Sequence, residues 1–520
     1  MTKLKPKHQF YTKASFVLSR GAPIESIYEL ANEYDIQVSE VGAYLDNKKK
    51  SNAVSGALMA GREEKEALYN KLDEKFLEEN PHIITVARGE SVTFFEYRKG
   101  LYAQLLDKDM YNYVDSLMAG LYLLDYRTSV RMVKDTVRRI EALLSRTENR
   151  HFTEEEIYQQ KWFLNLKNGL LDMDTLTLSP HNPSYFSTVQ VPYEYQPEAT
   201  CPEFFKFIET VSCNTDSTAQ MIKEMFGYCL SNGNPKHKVF YLYGDTARNG
   251  KSTTAKIICG LIGWGNVSTL SLGQIESENS SILTSIMGKQ INFSDEISSK
   301  YVESSRLTAM SSEGIVEINP KYKPSFLHVV KTKFLVACND IPRFKDPQGM
   351  KHRMISIPFQ HHFKESERIE RFDEVLLAKE GSGMLNWAIE GMKAIKETNT
   401  FTVNEDSRED VYDNLLQSNP VYAFMDMTYD FDPNFEDKIP MEDLYGSYDP
   451  RSATGEGFRL FCHEKGILAT SYFGFCRELK RFARETGKII QIKKSGKSRH
   501  YKGLKVKIDS VEEDFQDLTA

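Results

Sequence analysis

Between Gly244 and Thr254 the chain reads Gly-Asp-Thr-Ala-Arg-Asn-Gly-Lys-Ser-Thr-Thr, a glycine turn that ends in a lysine and hydroxyls. That combination suits a polyphosphate. Glycines let the backbone turn so that its N–H groups face a phosphate, the helix that follows contributes its positive end, and a lysine reaches the β and γ oxygens. Lys251 takes the lysine role and Ser252 offers a hydroxyl to Mg²⁺, while Gly244, Asn249, Gly250 and Thr253 complete the cradle. The spacing departs from the usual one. Five residues separate Gly244 from Gly250 where four are normal, and Asp245 stands in the place of the first glycine.

Phosphoryl transfer also needs a metal, a positioned water and added positive charge. Gly288-Lys-Gln-Ile-Asn-Phe-Ser-Asp-Glu296 reads as an apolar strand ending in two acids. Asp295 is placed to hold Mg²⁺ through its water shell, and Glu296 to polarise the attacking water. A second buried-type strand, Lys331-Thr-Lys-Phe-Leu-Val-Ala-Cys-Asn339, ends in an amide that can orient that water against the γ-phosphate of ATP. Arg353 immediately precedes the apolar run to Phe359, so its guanidinium projects from a strand start at the domain edge toward a neighbouring subunit's ATP. Arg343 and Lys351 are alternates for this finger. Between the acids and the amide, two β-type segments flank the tip Lys321-Tyr322-Lys323. Lysines engage phosphates and a tyrosine stacks on any base, which makes the tip a candidate contact to single-stranded DNA.

Rigid elements must stand behind these groups. Val239 to Tyr243 is a β-branched and aromatic run, and Ala255 to Ile262 reads as a helix, so the glycine turn has the strand–turn–helix context that phosphate binding requires. Leu376, Leu377, Met384, Leu385, Trp387 and Ile389 share an apolar face over 366–400 and predict helices that close the core.

Composition narrows the class. The chain has 520 residues, 40% hydrophobic and 27% charged, and carries a net charge of −7. That length predicts several domains. No global positive field advertises nucleic acid, so any DNA contact must come from local basic patches. The 7 cysteines form no C-x-x-C pair and no zinc spacing, which predicts a reducing compartment and no structural zinc. No signal peptide opens the chain and no apolar run reaches the roughly 18 residues a membrane span needs, so the expected site of action is cytoplasmic, with no membrane partner.

Both flanks carry candidate DNA elements. Residues 1–50 hold a basic tip and, from Ile24 to Leu45, apolar spacing for two short helices joined near Tyr34-Asp35, a helix-turn-helix spacing that also fits a hairpin contacting protein only. Residues 51–150 read as mainly helical, with strands at Ile83–Arg88 and Ser91–Tyr97 and an amphipathic helix over Val130–Leu144. Residues 151–235 carry a hairpin pattern with Asn168-Gly169 at its turn, and Asp172 and Asp174 belong to that hairpin rather than to a metal site. The core spans 236–365, a helical lid 366–410, a linker 411–438, a small DNA-binding domain 439–510 and an acidic tail 511–520. In the small domain the helix over 470–486 carries Arg477, Lys480, Arg481 and Arg484. The strand pair after it has a tip bearing Lys493, Lys494, Lys497 and Arg499. Helix plus basic β-loop predicts a winged helix that binds duplex DNA.

The order of phosphate loop, Asp295-Glu296, Lys321-Tyr322-Lys323, Asn339 and Arg353 resembles that of superfamily 3 helicases, AAA+ ATPases that form hexameric rings. More narrowly, Asn168-Gly-Leu-Leu-Asp172, Ser179-Pro-His181, Cys201-Pro202, Asn249-Gly-Lys-Ser-Thr253 and Gly383-Met-Leu-Asn-Trp-Ala-Ile-Glu-Gly391 resemble the phage and plasmid primase–helicase family, which includes poxvirus relatives. Within that family it resembles the self-loading helicases of staphylococcal islands and cassettes. The resemblance implies a multidomain α/β chain. Its centre is an AAA+ P-loop ATPase with a parallel sheet flanked by helices, between a helical N-terminal region and a C-terminal winged helix. It implies ATP and Mg²⁺ as cofactors and a homo-hexamer moving 3′ to 5′ on single-stranded and forked DNA after binding an origin duplex in the bacterial cytoplasm. A separate primase or host replication proteins would assist. His352 replaces the first of the two arginines the family shows before that strand, and the first 150 residues lack the acids of a priming site. Two other readings stay open: a DNA-binding initiator or regulator that uses ATP only as a switch, and an active primase–helicase.

Overall fold

Val239 to Leu242 are buried without exception, and a strand covered on both faces favours a continuous apolar run over alternation. In the computed structural model this segment is β1 (Val239–Tyr243) of a five-stranded sheet with β2 (Val267–Ser268), β3 (Ile291–Asp295), β4 (Lys333–Cys338) and β5 (Met354–Pro358). The order is β5-β1-β4-β3-β2, with every pairing parallel. The structure describes residues 10–11, 13–14, 17–18, 23–34, 36–45, 62–88, 91–120, 129–244, 246–295, 301–321, 325–344, 347–367, 369–432, 434–452, 454–486, 490–495 and 498–507. The register sets Tyr243 beside Cys338 and Pro358, and Asp295 beside Ala337. The carboxyl ends of β1, β3 and β4 therefore finish at one edge, where sheets of this kind receive ligands.

Alternate residues serve two cores. Val239, Tyr241, Phe334, Val336 and Met354 pack with Leu283, Leu307, Met310 and Phe344 on one face. On the other, the Phe240 ring meets Tyr228 and Phe401 at 5.8 and 5.6 Å. Helices α1 (Pro202–Val211), α2 (Asp216–Leu230), α3 (Lys251–Ile262) and α4 (Phe372–Thr398) accompany the sheet. The lid expected as several helices is the single 27-residue helix α4. It lies close against α2 because both contact points are glycine: a Cβ on Gly227 would stand 2.1 Å from Met392 N, and one on Gly391 2.1 Å from Lys223 O.

At the opposite, amino edge of the sheet Lys333 is fully buried. Its ammonium donates to the Ser231 carbonyl, which also accepts Gln290 Nε2 at 2.8 Å. Burial is the main cause that pulls its pKa down to about 7, from 10.5 when exposed. The folded protein thus holds fewer protons than the unfolded chain between about pH 7 and 10.5, so this group adds stability as pH rises through that window. Lys333→Met keeps the stem and removes the titration. Chemical denaturation at pH 7 and pH 10 is expected to show a rise in wild-type stability that the variant lacks, on the order of a few kcal/mol.

Strands Ile315–Ile318 and Phe326–Val329 pair as an antiparallel hairpin, as the sequence suggests. Lys321 is exposed at its tip, while Tyr322 and Lys323 lie outside the described residues. The linker expected over 411–438 gives way to helices α5 (Glu405–Ser418) and α6 (Pro420–Thr428) and a strand Tyr429–Phe431. Val421, Tyr422, Phe424 and Met425 explain it, because they are buried in the C-terminal core with Phe458, Phe475 and Leu479. That lobe contains helix Gly457–Glu464, helix α7 (Tyr472–Thr486), and strands Ile490–Ser495 and Ser498–Lys502. The second strand of the pair, expected over His500–Ile508, breaks at Gly503 (φ +84°), and Leu504–Val506 turns away to pair with Tyr429–Phe431.

The chain divides into two compact units, Met1–Gln190 and Val191–Ala520. In the first, Ile83–Arg88 and Ser91–Arg98 pair as expected, and two strands too short to read from sequence, Leu101–Gln104 and His151–Thr153, complete a four-stranded sheet. Helices Arg62–Glu79, Asp107–Gly120 and Ser129–Leu144 pack through Leu72, Phe76, Met110, Val114, Ile140 and Leu144. Helix Glu25–Glu33 and helical residues 38–45 share a small core of Ile27, Ala31, Val41 and Tyr44. The hairpin turn falls one residue earlier than expected, at Lys167-Asn168. Gly169 is needed inside the strand instead, since a Cβ there would lie 2.3 Å from Ser179 O of the next strand. Asp172 Oδ1 accepts the Asp174 N–H at 2.9 Å, in the turn that follows strand Gly169–Leu171. Among the described residues, no helix is long and apolar enough to cross a membrane.

Candidate nucleotide site

β1 delivers the chain to Gly244 at the carboxyl edge, and the loop re-enters helix at Lys251 after Gly250, whose φ of +91° belongs to the left-handed region. The N-terminal N–H groups of α3 consequently point into the loop. Asn249, 3% exposed, staples the loop: its Nδ2 donates to Thr246 O at 2.8 Å and to Phe359 O, just beyond β5, at 3.1 Å. The position of Gly244 depends on that staple, since a Cβ there would stand 2.4 Å from both Asn249 Nδ2 and Phe359 O. This is the physical use of the first glycine in the lengthened loop. Asp245 lies outside the described residues.

Lys251 is 6% exposed, and its ammonium donates to Gly244 O at 2.7 Å, to Asn339 Oδ1 at 3.0 Å and to Thr246 O at 3.4 Å. The sheet order makes this meeting possible: β4 lies between β1 and β3, so Asn339, the residue that follows β4, meets the loop lysine. Asp295 is exposed at the end of β3, one strand further on, and Ser252 is half-buried in the first turn of α3. Both offer oxygen, the donor Mg²⁺ takes. Among the described residues there is no group of three or more His, Cys, Asp or Glu that could hold a metal ion. Glu296 lies outside the described residues.

A strap that the sequence reading missed holds the loop from outside. Phe363 N donates to Arg248 O at 2.9 Å, His362 Nδ1 lies 3.1 Å from Ala247 O, and Arg248 pairs with Glu365. Arg248 has φ +61°, a conformation that costs a non-glycine residue about 1 kcal/mol or more and persists because these contacts fix it. Beside the loop, α1 and the strap enclose a cavity of about 430 Å³ lined by Phe207, Gly250, Thr253, Phe363 and Phe372. The Phe207 and Phe363 rings are nearly parallel, 12° apart, with centroids 6.4 Å apart. The aromatics recurring after β5 (Phe359, Phe363, Phe372) were the available signal.

Arg353 stands at the amino edge, where its carbonyl accepts Val239 N at 2.8 Å. Five residues of β5 at about 3.3 Å each separate it from the phosphate loop of its own chain. Its Nη2 donates to Ser312 Oγ at 2.7 Å. Its charge also helps to lower the pKa of Lys238, after burial, so two cations share this corner. Of the alternates, Lys351 is paired with Asp426 of α6, and Arg343 is exposed in a short strand beside Tyr301. Arg477, Arg481 and Arg484 are exposed on α7 and Lys480 is partly so. Lys493 and Lys494 fall in strand Ile490–Ser495 and Arg499 in Ser498–Lys502, whereas Lys497 lies outside the described residues.

Residues 118–213 match the family model described as D5 N terminal like, and residues 242–353 match one described as a family of unknown function, DUF5906. No curated protein matches the chain. Among solved structures, the A form apo structure of the NrS-1 C terminal region is similar with 12% identity and a TM-score of 0.43 over 84% of this chain and 98% of that one. Its 305–718 form is similar with 12% identity and a TM-score of 0.41, over 68% and 78% respectively.

Proposed function

We propose that this chain is an ATP-driven DNA helicase of the superfamily 3, AAA+ type, which acts as a hexameric ring and opens duplex DNA to start replication of a phage, plasmid or genomic island. The observation that carries the reading is the contact of Lys251 with Asn339 across β1 and β4. A lysine able to reach β and γ oxygens and an amide able to orient water are held 3.0 Å apart, at the mouth of a glycine loop and one strand from Asp295. The D5 N terminal like match over 118–213 supports the resemblance to phage and plasmid primase–helicases.

The residues divide the work. An entering triphosphate takes over the Lys251 ammonium from the carbonyls of Gly244 and Thr246, and α3 presents its N–H groups to the same phosphates. Mg²⁺, held from Ser252 and Asp295, would neutralise charge on the β and γ oxygens. Asn339 orients the water and Glu296 accepts its proton. The cavity lined by Phe207 and Phe363 would receive the base and ribose. Arg353, about a strand length from its own loop, reaches the γ-phosphate bound to the adjacent protomer. Lys321, with Tyr322 and Lys323, grips a single strand in the ring's channel, and by family resemblance travel runs 3′ to 5′.

Measuring ATP turnover with and without single-stranded DNA, and unwinding of a fork, tests the reading. The wild type is expected to hydrolyse ATP faster with DNA and to separate strands. The double variant Lys321→Ala/Lys323→Ala is expected to keep hydrolysis and lose separation. Fork opening at the wild-type rate by that variant would remove the hairpin from the mechanism, and ATP bound without turnover under every DNA condition would favour the switch.

A further inference from the structure

Helix α7 turns Phe475, Leu479 and Phe482 into the core of the C-terminal lobe, each no more than 1% exposed. Helical spacing therefore places Phe473, Arg477, Lys480, Arg481 and Arg484 along the other side. The arginines fit a solvated, cationic stripe. Phe473 does not, since it is 85% exposed in the first turn of the helix. Leu468 is 94% exposed in the turn that joins helix Gly457–Glu464 to α7. Neither side chain stabilises the lobe by burial, and each costs solubility. The charge around them decides the partner: an apolar surface bordered by arginine and lysine complements a polyanion that itself carries apolar groups.

We propose that Phe473, with Leu468 of the preceding turn, contacts thymine methyl groups in the major groove of duplex DNA, while the cations of α7 take the flanking phosphates. This rests on the reading of the lobe as a duplex-binding module and adds that it reads bases. In a helix-turn-helix, residues at the start of the second helix are those that meet base edges. The thymine C5-methyl is the apolar group presented on those edges, and phenylalanine is among the side chains that contact it. Phosphate contacts alone would explain the arginines but would leave a phenylalanine in water without purpose.

The test uses the full chain. Duplexes captured by the wild type from a random-sequence pool are amplified once with dTTP and once with dUTP, which keeps every base pair and removes only the methyl groups. The wild type is expected to enrich thymine at one or more positions and to bind the deoxyuridine duplexes roughly 5- to 100-fold more weakly. Phe473→Ala is expected to bind the thymine duplexes that much more weakly and to treat the two sets alike, with Phe473→Leu in between. Thermal melting of both variants, equal to wild type because the ring is exposed, shows that they are folded. Equal wild-type affinity for the two sets would overturn the proposal, as would undiminished discrimination by Phe473→Ala, or loss of self-association in that variant with DNA binding intact. A wild type that binds no duplex at all would instead overturn the reading of the lobe on which the proposal stands.

Discussion

Lys251→Ala is expected to lower ATP turnover by a factor on the order of 10²–10³ or more, the usual cost of removing one charge-stabilising donor from a phosphoryl- or acyl-transfer site. The ammonium is nearly out of contact with water and already aimed at the strand-end amide that orients the nucleophile, so no other group at the carboxyl edge replaces it. The substitution also strips a donor from the buried Gly244 carbonyl, at a cost of roughly 1–3 kcal/mol in stability. Turnover and melting are therefore measured together. A folded variant with wild-type turnover would show that the glycine loop is not the site of hydrolysis.

Arg353→Ala is expected to lose roughly 10³- to 10⁵-fold in turnover, the range measured for arginine fingers supplied in trans, with ATP affinity nearly unchanged. The reason is placement. In its own chain the guanidinium lies at the amino edge of the sheet and the phosphate loop at the carboxyl edge. A residue that never meets its own nucleotide cannot contribute to that binding, yet it can stabilise charge that develops on a neighbour's. A large loss of affinity in the variant, measured with a fluorescent ATP analogue, would contradict this division.

The strands behind these predictions are legible in the sequence because a parallel sheet covered on both faces favours continuous apolar runs. Val239–Tyr243, Phe334–Cys338 and Met354–Pro358 stand out for that reason, whereas Ile291–Asp295 alternates and is still covered because its buried Asn292 and Ser294 both donate to Leu270 O. The order of the strands is not legible, since lateral neighbours leave no mark on a linear pattern; only the fold brings Asn339 to Lys251. Helix α5 runs past residue 410, where the helical lid was expected to end, and Ser356 in the middle of β5 donates to Asp410, which ties the helix over the edge of the sheet. The strap from His362 to Glu365 escaped because two of its three contacts end on backbone carbonyls of the loop, Ala247 O and Arg248 O, which any sequence carries. Asn249 was read from the motif alone, and its hold on Phe359 O across the sheet gives the motif position a mechanical reason.

The central claim is that hydrolysis is shared between protomers, and mixing two inactive variants tests it most directly. Lys251→Ala has a damaged loop and an intact Arg353, and Arg353→Ala the reverse. In mixed assemblies some seams pair an intact loop with an intact arginine, so turnover is expected to reappear, with a maximum near equal proportions and dependence on total protein concentration. Mixtures that stay as inactive as either variant at every ratio, from proteins shown to assemble together, would contradict the account.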